Sequence, residues 1–115
     1  MLPLVRELTP VPAPAEAAER FAGWAHVLFL DSAATSQRLG RYSFLMADPA
    51  IVVRSRAGRT EVTEPGHEPT TVPEDALAAV RRLLAPHASA PIPGLPPFQG
   101  GAAGYVGYDW GLSLE

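Results

Sequence analysis

The 115-residue sequence contains no cysteine. Disulfides, thiol nucleophiles and thiolate metal sites are therefore absent, and cysteine usage gives no clue to redox compartment. Charge is sparse: 18% of residues are Asp, Glu, Lys or Arg, and nine basic residues against twelve acidic ones give a net charge of −3. That balance, with a pI near 5.6, leaves no electrostatic footprint for nucleic acid or an anionic membrane. All nine basic residues are arginines, a bias to which we give no functional weight. No long apolar run occurs. The stretch Val27 to Leu30 is far too short to span a bilayer, and the N-terminus lacks the pattern of a signal peptide, so the cytoplasm is the expected location. Nucleotide loops are missing too: Gly101-Ala102-Ala103-Gly104 has no following Gly-Lys-Ser/Thr, and no G-x-G-x-x-G occurs. His26, His67 and His87 are far apart and lack the spacing of a zinc site. Asp31-Ser32 stands outside any G-x-S-x-G elbow, and no carboxylate pair is spaced for acid–base work. The residues by themselves thus show no catalytic constellation.

What is present is a chain 47% apolar, enough for one small core and too hydrophobic for disorder. A single domain over 1–115 is expected. Residues Leu2 to Leu8 read as a short edge strand, stopped by Pro10, Pro12 and Pro14. A helix is predicted from Ala15 to Gly23, with Ala17, Phe21 and Trp24 on one face. Val27 to Leu30 reads as a central strand covered on both faces, and Arg41 to Met46 as a second strand, interrupted by Asp48-Pro49. Ile51 to Arg56 and Arg59 to Thr63 flank Ala57-Gly58 as a hairpin, whose edge Arg54 and Arg56 would blunt. Thr71-Val72-Pro73-Glu74 has capping-box spacing, and Leu77, Val80 and Leu84 follow on one helical face as far as Pro86.

From Pro86 to Pro97 five of twelve residues are proline, which predicts an extended strap. Beyond it, Phe98 to Gly111 alternates aromatic residues with glycine and alanine. Its glycines read as places where another backbone or a large side chain approaches closely. Two helices and four to six strands without βαβ alternation predict an α+β fold, a mostly antiparallel sheet with two helices.

Three strings occur in order: Phe29-Leu30-Asp31-Ser32; Gly40-Arg41-Tyr42-Ser43-Phe44-Leu45 with Ala47-Asp48-Pro49; and Pro97-Phe98-Gln99-Gly100-Gly101-Ala102-Ala103-Gly104-Tyr105-Val106-Gly107-Tyr108-Asp109. Together they resemble the N-terminal region of component I of anthranilate synthase and aminodeoxychorismate synthase, over almost the whole chain. The short lead-in, the compact spacing and Gln99 within Phe-Gln-Gly-Gly look more like aminodeoxychorismate synthase. Asp31 departs from the Leu-Glu-Ser form of the loop that is usual in anthranilate synthases.

The resemblance implies an α+β domain of the anthranilate synthase component I type. It further implies a parent enzyme that converts chorismate, with ammonia from a glutamine amidotransferase subunit, to 4-amino-4-deoxychorismate, the precursor of 4-aminobenzoate and folate. Mg²⁺ is required in that family, and the chorismate pocket and metal-binding glutamates sit in a larger C-terminal domain. The chain is accordingly expected to be a fragment, with no catalytic residue, no metal and no synthase activity of its own. Its expected roles are scaffold for that domain and docking surface for the amidotransferase. The segment Gly100 to Trp110 is expected to leave an apolar face open to self-association.

The family also has a tryptophan pocket. Asp31 and Ser32 match its acidic-Ser loop, and Arg41, Tyr42 and Ser43 match the segment facing it. An amino-acid ligand needs an anionic acceptor for its ammonium and a cationic donor for its carboxylate, which Asp31 and Arg41 would supply. A plain loop ion pair between the two is the alternative. Anthranilate synthase component I, and a free-standing small-molecule-binding regulatory module, stand as the rival functional readings.

Overall fold

The computed structural model describes residues 4–31 and 42–107. Two helices and two antiparallel sheets, of two and three strands, make an α+β fold. In order these are α1 (Pro14–Arg20), β1 (Leu28–Leu30), β2 (Phe44–Met46), β3 (Val52–Arg56), β4 (Arg59–Thr63), β5 (Thr70–Val72) and α2 (Ala76–Leu84), followed by a 3₁₀ turn over Ala85–His87. Among the described residues the chain divides into two compact units, one of 4–31, 42–49 and 90–100, the other of 50–89 and 101–107.

In the first unit, α1 opens with Pro14 in its first turn, and Glu16 bonds Arg20 one turn on at 3.1 Å. The helix stops at Arg20, short of the expected Gly23. Phe21, Ala22 and Trp24 turn back onto the carbonyls of Ala18, Glu19 and Phe21. Phe21 and Trp24 therefore meet ring to ring, 4.7 Å between centroids, instead of sharing a helical face. β1 pairs with β2 in the register Leu28↔Met46, Phe29↔Leu45, Leu30↔Phe44. β1 was expected at a sheet centre, yet β2 is its one partner among the described residues and Leu30 is 46% exposed. Below the ladder Asp48, at φ 54°, donates its backbone N–H to the Ala25 carbonyl, so the chain turns where Asp48-Pro49 was expected to break the strand. Residues 4–8 form no strand, and Leu4 is fully exposed.

The Pro-rich stretch is not one extended strap. After the 3₁₀ turn it curls into a loop closed by Gln99. The Gln99 Oε1 accepts the Ile92 N–H at 2.8 Å, and Nε2 donates to the carbonyls of Ile92 at 3.0 Å and Pro96 at 3.2 Å. A carboxamide presents one acceptor and two donors, which is the complement of a peptide unit. Gln99 thus acts as a strand partner for one residue in a segment whose prolines lack donors.

The second unit holds the hairpin read from sequence. β3 and β4 join through Ala57 and Gly58 at φ 52° and 75°, the two positive φ values of a tight turn whose twist matches the strands. β5 adds to β4 as Thr60↔Val72, Glu61↔Thr71, Val62↔Thr70. This strand takes up the residues expected to cap the second helix. The cap of α2 is instead Asp75, whose Oδ1 accepts the Ala78 N–H at 2.8 Å. The helix also presents a different stripe. Ala79 is fully buried and Ala76, Val80 and Leu83 are half-buried, whereas Leu77 is 56% exposed. The spacing i, i+3, i+4, i+7 holds, rotated by one residue, because a small side chain lets α2 approach β3 closely. Thr60 is the other buried residue, and no large side chain is fully enclosed among those described.

At Gly100, Gly104 and Gly107 a methyl group would meet nothing within 4 Å, so close approach is not what those positions need. Gly100 and Gly101 are required by their backbone, at φ 144° and 129°. No helix among the described residues is long and apolar enough to cross a membrane.

Candidate functional site

The β1–β2 register decides which expected site residues meet. One step past Leu30↔Phe44, the ladder sets Asp31 opposite Ser43. Their side chains bond directly: Ser43 Oγ donates to Asp31 Oδ1 at 2.5 Å. This is the short length expected when a hydroxyl serves a carboxylate. Both residues are exposed, and no hydrogen bond from another described residue occupies the second carboxylate oxygen, which can accept from an incoming donor.

Alternation along β2 sends the next side chains to the other side of the ladder. Tyr42 and Phe44 lie ring by ring at 6.1 Å, and Phe44 meets Phe98 edge to face at 6.0 Å. Phe98 is the residue before the Gln99 clamp, so the closed Pro-rich loop brings it to the sheet. The polar pair and the aromatic row occupy one hairpin end but opposite faces of it. Ser32 and Arg41, the other two expected site residues, lie outside the described residues.

Chemically, Asp31 with Ser43 can receive an ammonium or N–H group, and the Tyr42–Phe44–Phe98 row offers apolar ring surface. Among the described residues no group of three or more His, Asp or Glu could hold a metal ion.

In the second unit a concavity of about 300 Å³ lies against β4, β5 and α2, floored by Val62, Val72 and Leu83 and edged by Glu64, Glu68 and His67. Arg82 also lines it, but its guanidinium is bound to Glu74, Nε at 2.6 Å and Nη2 at 2.5 Å. That hydrogen bond raises Arg82 above its ordinary pKa and fixes it as part of the fold.

Sequence reasoning singled out Gln99 only as a family letter and missed its clamp. Its signal was a lone carboxamide among prolines and glycines. Asp75, directly before the first apolar residue of α2, was the overlooked cap.

No family model matches the chain, and no solved structure matches it. Curated relatives do. Anthranilate synthase component 1 of Acetivibrio thermocellus is 30% identical over 91 residues, which is 79% of this chain and 18% of the relative. The protein of the same name from Bacillus caldotenax is 34% identical over 93 residues, 77% of this chain and 18% of the relative. That of Pseudomonas putida is 36% identical over 81 residues, 70% of this chain and 16% of the relative. The chain thus spans less than a fifth of the length of these relatives. Their names do not single out aminodeoxychorismate synthase. What they support is the coarser likeness: this chain is similar to a segment of anthranilate synthase component 1.

Proposed function

We propose that the chain is a scaffold-forming segment of component I of a chorismate-utilising synthase and that the chorismate chemistry lies in other parts of that protein. The observation that carries this reading is the similarity to anthranilate synthase component 1 over 70 to 79% of the chain.

Two products are in play. The relatives' name favours anthranilate. The Phe98-Gln99-Gly100-Gly101 string favours 4-amino-4-deoxychorismate, made with ammonia from a glutamine amidotransferase subunit and directed to folate. Mg²⁺ would be held by glutamates of the chorismate-binding domain, and the 115 residues alone are expected to be inactive with chorismate, Mg²⁺ and ammonia. At the end of β1–β2, Asp31 held by Ser43 is proposed to receive the ammonium of a tryptophan-type ligand. Ser32 and Arg41 would complete that site, with Arg41 at the ligand's carboxylate, whereas Tyr42, expected in the same site, lies with Phe44 on the other face of the ladder.

The test is product analysis on the complete protein carrying this chain, supplied with chorismate, Mg²⁺ and ammonium. Anthranilate identifies one branch. A product that needs a lyase to become 4-aminobenzoate identifies the other, and unchanged chorismate overturns the reading.

A further inference from the structure

A chain with net charge −3 carries a basic face on its three-stranded sheet. Strand alternation and the register Arg54↔Glu61, Arg56↔Arg59 put Arg54, Arg56, Arg59 and Glu61 on one face, together with Thr71 of β5. The opposite face, with Val62 and Val72, is the one turned toward α2 and the concavity. Arg54, Arg56, Arg59 and Thr71 are exposed.

Blunting a sheet edge needs a single charge, and this face has more than that. Arg56 and Arg59 stand directly opposite one another beside the turn, where like charges repel and the fold gains nothing from them. Arg59 is held in place: its Nε and Nη2 donate to Thr71 Oγ1 at 3.1 and 2.9 Å, and Glu61 lies 3.5 Å from Nε. Among the described residues neither Arg54 nor Arg56 has an ion-pair partner. One fixed guanidinium flanked by two available ones matches carboxylates, which arginine binds through paired N–H groups.

We propose that this arginine face of the β3–β4 hairpin docks on an acidic, carboxylate-bearing protein surface. The chemistry favours carboxylates over a polyphosphate. Among the described residues the face is one hairpin wide and has no exposed aromatic ring among its arginines for base stacking. Among the described residues it also has no apolar wedge for entering a lipid surface. This docking surface is independent of the proposed chorismate chemistry.

The test is nuclear magnetic resonance titration of the full chain with an eight-residue polyglutamate peptide at 25 mM and 300 mM salt. Parallel titrations use a 12-base-pair DNA duplex and vesicles containing phosphatidylserine. Shifts confined to residues 54–61 and 71, weakened at least tenfold by 300 mM salt and by Arg54→Glu/Arg56→Glu, are the expected result. Arg54→Lys/Arg56→Lys should bind less tightly than the wild type and more tightly than the charge reversal, because the paired geometry is lost while the charge stays. Unchanged spectra confirm that either double variant is folded. Shifts elsewhere, binding untouched by the reversal, or tighter binding to DNA or to vesicles would overturn the proposal.

Discussion

Replacing Gln99 removes three hydrogen bonds at one stroke. Two of them join half-buried groups, the Ile92 N–H at 2.8 Å and the Ile92 carbonyl at 3.0 Å; the third, to Pro96 at 3.2 Å, is exposed. A net value of about 0.5–1.5 kcal/mol for each half-buried bond, and less for the exposed one, gives a loss of about 1–3 kcal/mol for Gln99→Ala. Water can reach Ile92 in part, which holds the loss below the full penalty of stranding buried groups. Gln99→Glu keeps size and shape but sets a carboxylate oxygen against two carbonyl oxygens, so at neutral pH it should lose at least as much as the alanine variant. Urea denaturation followed by circular dichroism reads both. With a slope of about 1–3 kcal/mol per molar urea, the midpoint should fall by roughly 0.3–3 M. Midpoints for both variants within error of the wild type would refute the clamp, as would a glutamate variant as stable as glutamine.

Asp75→Ala should destabilise the chain by about 0.5–2 kcal/mol through loss of the α2 cap, whereas Thr71→Ala, which removes only the two exposed bonds from Arg59, should cost under about 0.5 kcal/mol; equal losses in urea would contradict the placement of the cap. Ala79→Leu should cost about 1–3 kcal/mol, because the fully buried methyl sits where α2 meets β3, while Leu77→Ala on the exposed side should be nearly neutral in the same denaturation assay. Arg56→Glu replaces a like-charge cross-strand pair with an opposite one and should raise stability by about 0.2–1 kcal/mol at low salt, a gain that disappears in high salt.

What could be read from the sequence was whatever neighbouring residues settle among themselves. The β3–β4 hairpin was legible because Ala57-Gly58 supplies a two-residue turn with its glycine at positive φ, and alternation then sorts Arg54 and Arg56 from Val53 and Ser55. The antiparallel α+β class followed from such local signals. Features that depend on a distant partner were misread. Thr71 has capping-box spacing, but pairing with Glu61 draws it into β5 and leaves the cap to Asp75. The α2 stripe passes through Ala79 and not Leu77 because the smaller residue lets α2 pack closely on β3. Prolines suggested a strap, and one carboxamide seven residues along folds it into a loop. At the candidate site, the resemblance named Asp31 and Ser43, while their direct bond depends on a register that becomes visible only once β1 and β2 pair.

The account assigns ligand recognition to the end of the β1–β2 hairpin and the chemistry to other parts of the protein. Chorismate consumption and tryptophan binding, measured side by side on the complete protein and its Asp31→Ala variant, test this division directly. The account predicts that both proteins aminate chorismate at rates within about twofold while only the wild type binds tryptophan with saturation. A variant that binds tryptophan as well as the wild type, or one that has lost chorismate turnover, would contradict it.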